Sequence, residues 1–346
     1  MPDSPPTSEP RHASPKLFLH IGRNKVGSTS LQDYIVQNRS ELRAAGVQYA
    51  SFFGQPKPDF DDIPAIPTHT ALIGYVRSRG DDAVLISYEG LSCVPEAWTR
   101  VMAAEFAALN TKLILYVRPY RQWVVSSYMY DTRIGMNGRD FDRYLDHIRP
   151  SISFWPMLEI WGGAIGWSNI HVRSIDPRDL AGGDIRTDLM SAIGVAVTGE
   201  LPARRANASP SWSAVEVFRL VMRGDAGLGW DQHQVAITEA LHEYIDTATL
   251  GVQQQAPVYL QDHDAQALAA LYNADLAALQ SCTGTCLQRD GRENVKPRAF
   301  LPTAEYVPKS VLHHVRNLAT TPQNALLHPE TAAFVESPGF LRLFDA

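Results

Sequence analysis

Short apolar runs along this chain alternate with longer stretches in which apolar residues recur at helical spacing. "KLFLHI" (16–21), "VQYAS" (47–51), "AVLISYE" (83–89), "KLILYVR" (112–118) and "NIHVRSI" (169–175) read as buried strands. Between them, "STSLQDYIVQNRSELRAAG" (28–46) predicts a helix with Leu31, Tyr34, Ile35, Leu42 and Ala45 on one face and Gly46 as its stop. A Pro-rich loop over 56–67 leads into a helix around "THTALIGYVRSRG", and 96–110 and 121–131 predict two more. Strands that alternate with helices imply a parallel sheet covered on both faces. The expectation is therefore an α/β, three-layer fold with a largely helical C-terminal part, whose helical patterns fall near 212–223, 234–249 and 258–279. In such sheets ligands bind at the carboxyl ends of the strands. That singles out Gly22 to Ser30, Glu89, and Arg118 onward.

At 346 residues, with 45% apolar and 20% charged residues, the chain has ample material for a core. Residues 1–15 hold five prolines and no apolar run, and predict a disordered tail in place of a signal peptide. The expected organisation is one α/β domain over 16–280, with 281–346 an extension packed on it. A net charge of −6 and a pI near 6.0 argue against a nucleic-acid partner. No apolar stretch approaches the roughly 18 residues that span a bilayer. Cys93, Cys282 and Cys286 form no disulfide framework and fit no common zinc spacing, which points to unpaired thiols in a reducing cytoplasm.

"GRNKVGSTS" (22–30) sits between the first strand and the first helix. Gly22 and Gly27 have the separation of the nucleotide-triphosphate loop G-x-x-x-x-G-K-[ST], but Ser28 stands where its lysine belongs, and Lys25 comes two residues before Gly27. A glycine turn there directs backbone N–H groups at an anion, aided by the helix dipole, and Ser28, Thr29 and Ser30 add hydroxyls. A tight turn with a Ser/Thr cap is the plainer alternative. A second segment, "YVRPYRQWVVSSYMY", places Arg118 at a strand end and Ser126 eight residues later in a helix. Arginine offers a donor fork suited to phosphate, and serine a further hydroxyl.

Together the two segments resemble the sulfotransferases that use 3′-phosphoadenosine 5′-phosphosulfate (PAPS). The family's strand followed by K-x-G-[ST]-[ST] stands here as Lys25-Val26-Gly27-Ser28-Thr29, and its strand-end arginine with a serine eight residues on as Arg118 and Ser126. The flanks look most like bacterial members acting on carbohydrate or other small acceptors. The likeness covers roughly 16–280, with close matches only at these two places. Val26 and Ser28 vary the usual pattern mildly, and the R-K-G-x-x-G segment of the cytosolic branch is absent. In "RRANASPS" (204–211), Asn207 and Ser209 precede a helical pattern; the resemblance offers them to the adenine side, and helix capping is the alternative.

The resemblance implies a P-loop-like fold and PAPS as donor, with 3′-phosphoadenosine 5′-phosphate (PAP) as product. Arg23, Asn24, Lys25, Gly27, Ser28, Thr29 and Ser30 would hold the 5′-phosphosulfate, and Arg118 and Ser126 the 3′-phosphate. Lys25 would meet the bridging oxygen, where charge grows as the bond breaks. A sulfuryl group carries less negative charge than a phosphoryl group, so no metal is expected. Glu89, after a central strand, is the candidate base, and His69 in "PTHTAL" is its competitor. His20, beside Gly22, reads as part of the sheet edge. The partner is expected to be a glycan or other small acceptor whose identity the sequence does not carry. Two alternatives stay open: a P-loop kinase-like phosphotransferase, disfavoured by Ser28 after Gly27, and a non-catalytic nucleotide-binding homologue.

Overall fold

The structure is a computed structural model that describes residues 16–52, 63–80, 82–196, 260–290 and 309–341, with isolated positions at Val215, Arg219, Leu241, Tyr244 and Ile245. The expected tail, Asn207 and Ser209 lie outside the described residues, as do the helical patterns at 212–223 and 234–249 apart from those isolated positions. Two compact units are present. The first comprises Met1–Arg118, Ser153–Arg205 and Asn273–Arg289; the second comprises Pro119–Ile152, Ala206–Tyr272 and Asp290–Ala346.

The first unit is an α/β sandwich built on six strands: β1 (Leu17–His20), β2 (Val47–Phe52), β3 (Ala65–Ile66), β4 (Ala83–Ser87), β5 (Thr111–Val117) and β6 (Ile170–Ser174). Their order is β3-β2-β4-β1-β5-β6, and every pairing is parallel. Because the strands are buried on both faces, they read as continuous apolar runs instead of alternating ones. Phe18, Leu85, Ile114 and Tyr116 turn to one face, where they meet Leu31 and Ile35 of α1 (Ser28–Gln37) and Ile185 and Leu189 of α8 (Ile185–Ala192). The alternate residues Leu17, Leu19, Leu113 and Leu115 are fully buried and turn to the other face. There α4 (Glu96–Ala107) packs on α7 (Trp155–Ile165), with the Phe106 and Trp161 rings 6.2 Å apart.

Three sequence expectations change in detail. The helix expected over 28–46 breaks at Asn38, whose φ of −105° and ψ of 23° leave the helical region. A separate α2 (Arg39–Ala44) follows, and the Asn38 amide donates to the Tyr34 carbonyl at 2.8 Å where the turn ends. A sixth strand, β3, closes the Pro-rich stretch. Glu89 lies past the end of β4, in a 3₁₀ turn over Glu89–Ser92. The helix expected from "THTALIGYVRSRG" is α3 (His69–Ser78), capped by the Thr68 hydroxyl, which accepts from the Ala71 amide at 3.1 Å.

The second unit contains α5 (Tyr120–Arg133) and α6 (Phe141–Ile148), joined by an aromatic cluster. The Tyr128 ring meets Phe141 and Tyr144 edge-on at 5.2 and 5.4 Å, and the Tyr144 hydroxyl donates to Asp131 at 2.6 Å. Arg121 pairs with Asp290 through two guanidinium nitrogens. Short helices at Lys309–Ala319, Pro322–Leu327, Pro329–Val335 and Pro338–Leu341 make up its C-terminal part. Among the described residues no helix is long and apolar enough to cross a membrane. The three cysteine thiols are free and exposed.

Candidate functional site

At the carboxyl edge of the sheet, β1 gives way to the loop Ile21–Gly27 and then to α1. Two residues of this loop have positive φ: Gly27 at +91° and Lys25 at +67°. Glycine occupies that region freely, but a lysine there is strained. Among the described residues only Lys25 and Asn110 are non-glycine residues in that state. Strained backbone of this kind concentrates at functional sites because the surroundings must hold it. Gly27 is the N-cap of α1 and offers no side-chain cap. The first-turn N–H groups, which have no intrahelical acceptor, therefore open toward the loop. Ser28 is buried beneath this turn, Thr29 is exposed, and the Ser30 hydroxyl donates to the Gly27 carbonyl at 3.3 Å. Arg23 and Asn24 are half-buried on the approach to Lys25.

Two further segments reach this loop from neighbouring strands. Arg118, directly after β5, donates from Nη1 to the Lys25 carbonyl at 3.3 Å, so one cationic side chain braces the strained residue. Burial lowers the Arg118 pKa, though an arginine stays charged at any working pH. Glu89, directly beyond β4 and Tyr88, places its Cγ 3.7 Å from the point a Cβ on Gly22 would occupy. Burial pushes the Glu89 carboxyl up to about 7, against the opposing pull of the Lys25 charge. A half-buried carboxyl beside a lysine, titrating near neutrality, is suited to take a proton from a reacting group. The set of backbone N–H groups, serine and threonine hydroxyls, Lys25 and Arg118 suits an anion rich in oxygen atoms. Among the described residues no group of three or more His, Cys, Asp or Glu is arranged to hold a metal ion.

His69 stands elsewhere. At the first position of α3, its Nε2 lies 3.3 Å from Glu105 of α4, and its ring meets Trp98 edge-on at 6.1 Å. Ser126 is half-buried on α5, in the second unit. One residue at the loop's base, His20, reads from the sequence only as part of the sheet edge. His20 is wholly buried, and its Nδ1 is 2.8 Å from the Ser87 hydroxyl. Its Nε2 lies 3.0 Å from where a Gly22 Cβ would be. A polar residue ending an otherwise apolar strand was the signal available.

No family model matches this chain, and no curated protein matches it. Among solved structures, a sulfotransferase from Alicyclobacillus acidocaldarius aligns at 16% identity and a TM-score of 0.34, covering 61% of this chain and 95% of that one. A likeness of that degree carries no weight for function, which rests on the residues described above.

Gly22 is required by the close approach of His20. A methyl group there meets Nε2 at 3.0 Å and Cε1 at 3.1 Å, and the ring is held by Ser87 and by Tyr116, whose ring centroid is 5.6 Å away. Gly22→Ala is expected to cost about 1–3 kcal/mol in denaturant unfolding, as overpacking of a filled interior does; an unchanged midpoint contradicts this. Glu89 gives a second expectation. Its folded carboxyl holds the proton more tightly than the ordinary 4.5 of the unfolded chain, so its contribution to stability is full below about 4.5 and lost as pH rises through about 7. Buried His20 titrates near 4 instead of 6.5 and acts with the opposite sign, losing stability as pH falls, but it is common to both proteins when only Glu89 is changed. Melting temperatures of Glu89→Gln and wild type should therefore diverge in favour of the variant as pH rises through 7. A difference that stays constant with pH contradicts the raised carboxyl.

Proposed function

We propose that this chain is a sulfotransferase that moves a sulfuryl group from PAPS to a hydroxyl, or an amine, of a glycan or other small acceptor. The observation that carries the proposal is the meeting of strained, cationic Lys25 with the proton-retaining carboxyl of Glu89 at the carboxyl edge of a parallel sheet. The donor supplies an activated sulfuryl group on a phosphosulfate oxygen. The loop N–H groups and the hydroxyls of Ser28, Thr29 and Ser30 are the donors for its 5′ end, and Arg118 is the cation for its 3′-phosphate.

Glu89 takes the proton from the acceptor as the acceptor oxygen bonds to sulfur and the bond from sulfur to the bridging oxygen breaks. Lys25 neutralises the charge left on that bridging oxygen, which ends on PAP. Both groups answer to one geometry. The ammonium must lie close enough to the leaving oxygen to stabilise it, and close enough to Glu89 to keep part of the carboxyl ionised at neutral pH. Burial alone would hold the proton on; Lys25 acts against burial.

The test is sulfuryl transfer from PAPS to a panel of glycan and small phenolic acceptors by wild type and Lys25→Ala. The variant is expected to lose about 10²-fold or more in kcat, the scale of removing one group that stabilises a developing oxyanion, with its melting temperature little changed. Transfer at the wild-type rate by Lys25→Ala would contradict the role given to Lys25.

A further inference from the structure

The left-handed backbone of Lys25, at φ +67°, lies between two fixed points of the chain. Before it, the Ile21 amide donates to the Ile114 carbonyl at 3.0 Å, which ties the start of the loop to β5. After it, the Val26 side chain is buried in the same core cluster as Ile185. The Lys25 carbonyl sits just ahead of that second anchor, and Arg118 Nη1 reaches it at 3.3 Å from the end of β5. Arg118 starts from a fixed place, since Val117 before it is buried and Pro119 after it restricts its backbone to extended geometry. A charged donor on a carbonyl is worth about as much as left-handed backbone costs a non-glycine residue, so this one bond is of the size needed to hold the strain. The sign of φ at Lys25 also decides on which side the lysine stem leaves the loop, and hence where its ammonium stands.

Resting on the reading of Lys25 and Glu89 as the reacting pair, we propose that Arg118 is a positioning residue for Lys25: its bond to the Lys25 carbonyl holds the left-handed backbone, and that backbone keeps the ammonium within reach of Glu89. The role is additional to a phosphate contact. A guanidinium carries five N–H donors, so a bond from Nη1 to the loop and bonds to an anion are compatible. The arrangement has a consequence at Glu89. Burial raises its carboxyl and the Lys25 charge lowers it, and the Arg118 charge is not among the causes. Arg118 therefore acts on Glu89 only through the place of the lysine. Two other titratable groups stand near: His20, whose ring approaches the Gly22 Cβ position as the Glu89 Cγ does, and Tyr88, the preceding residue. Burial keeps that imidazole neutral, with its titration lowered to about 4.

The test uses the full-length protein and needs neither donor nor acceptor. In glutamate labelled with ¹³C at the carboxyl, the signal absent from Glu89→Gln identifies Glu89, whose midpoint in the wild type is about 7. Lys25→Met removes the charge that opposes burial, so the midpoint is expected to rise by about one pH unit. Arg118→Met leaves the lysine present but unbraced, and a rise of about half that or more is expected. In the double variant, Arg118→Met adds nothing to the rise already given by Lys25→Met. A merely structural arginine would lower stability without moving the midpoint, and one acting on Glu89 directly would raise it equally in both backgrounds. An unchanged midpoint in Arg118→Met, or equal rises with and without Lys25, overturns the proposal. If Arg118→Met does not fold, Arg118→Gln carries the same comparison, because its amide nitrogen ends two bonds short of Nη1. A chain that transfers no sulfuryl group still gives these midpoints, so failure of the function and failure of this inference are told apart.

Discussion

The site depends on one topological constraint, the placing of β1 between β4 and β5 with all three strands parallel. Each strand then leaves the sheet at the same edge. The loop carrying Lys25, the turn carrying Glu89 and the strand end carrying Arg118 come together without any long excursion of the chain. The register adds detail. His20 lies against Ser87 on one side and Ile114 on the other, so the imidazole is enclosed before the loop begins. An antiparallel neighbour would send its exit to the opposite edge and leave the Lys25 loop alone.

This arrangement concentrates unfavourable terms in a few residues. Lys25 has a left-handed backbone, Arg118 and Glu89 are partly desolvated, and His20 keeps a buried nitrogen without a partner. Each costs free energy that only the surrounding sheet makes tolerable. The offset comes from the apolar strands, several of which are wholly buried, and from the packing of α1 and α8 on one face and α4 and α7 on the other. A rigid scaffold under a strained loop is what an anion site needs, because its donors are then aimed before the ligand arrives.

Much of this was legible in the sequence because parallel strands are apolar throughout. "KLFLHI", "AVLISYE" and "KLILYVR" stand out as strands, and the rule that ligands bind at carboxyl ends points to Gly22–Ser30, Glu89 and Arg118. Smaller features were not legible. β3 has two residues and no pattern of its own, and its pairing with Ser51 and Phe52 is purely tertiary. The break at Asn38 lies inside an unbroken helical periodicity, where a weak helix former yields to the turn into β2. For His69, the competitor to Glu89, the approach of Glu105 and Trp98 from α4 depends on helix packing that periodicity does not encode. The same holds for His20: its closeness to Gly22 and Glu89 comes from strand register, and from the sequence it was a polar residue at the end of an apolar run.

The most direct measurement is thermal unfolding of the protein with adenosine 3′,5′-bisphosphate, set beside ADP and beside ATP with magnesium. At about one hundred times its dissociation constant a specific ligand adds roughly 2.7 kcal/mol of stability. A site in which Arg118 holds a 3′-phosphate predicts a clear shift with the bisphosphate, little with the others, and loss of that shift in Arg118→Ala. A shift with ATP and magnesium alone would contradict the assignment and place the chain among phosphoryl-transfer proteins instead.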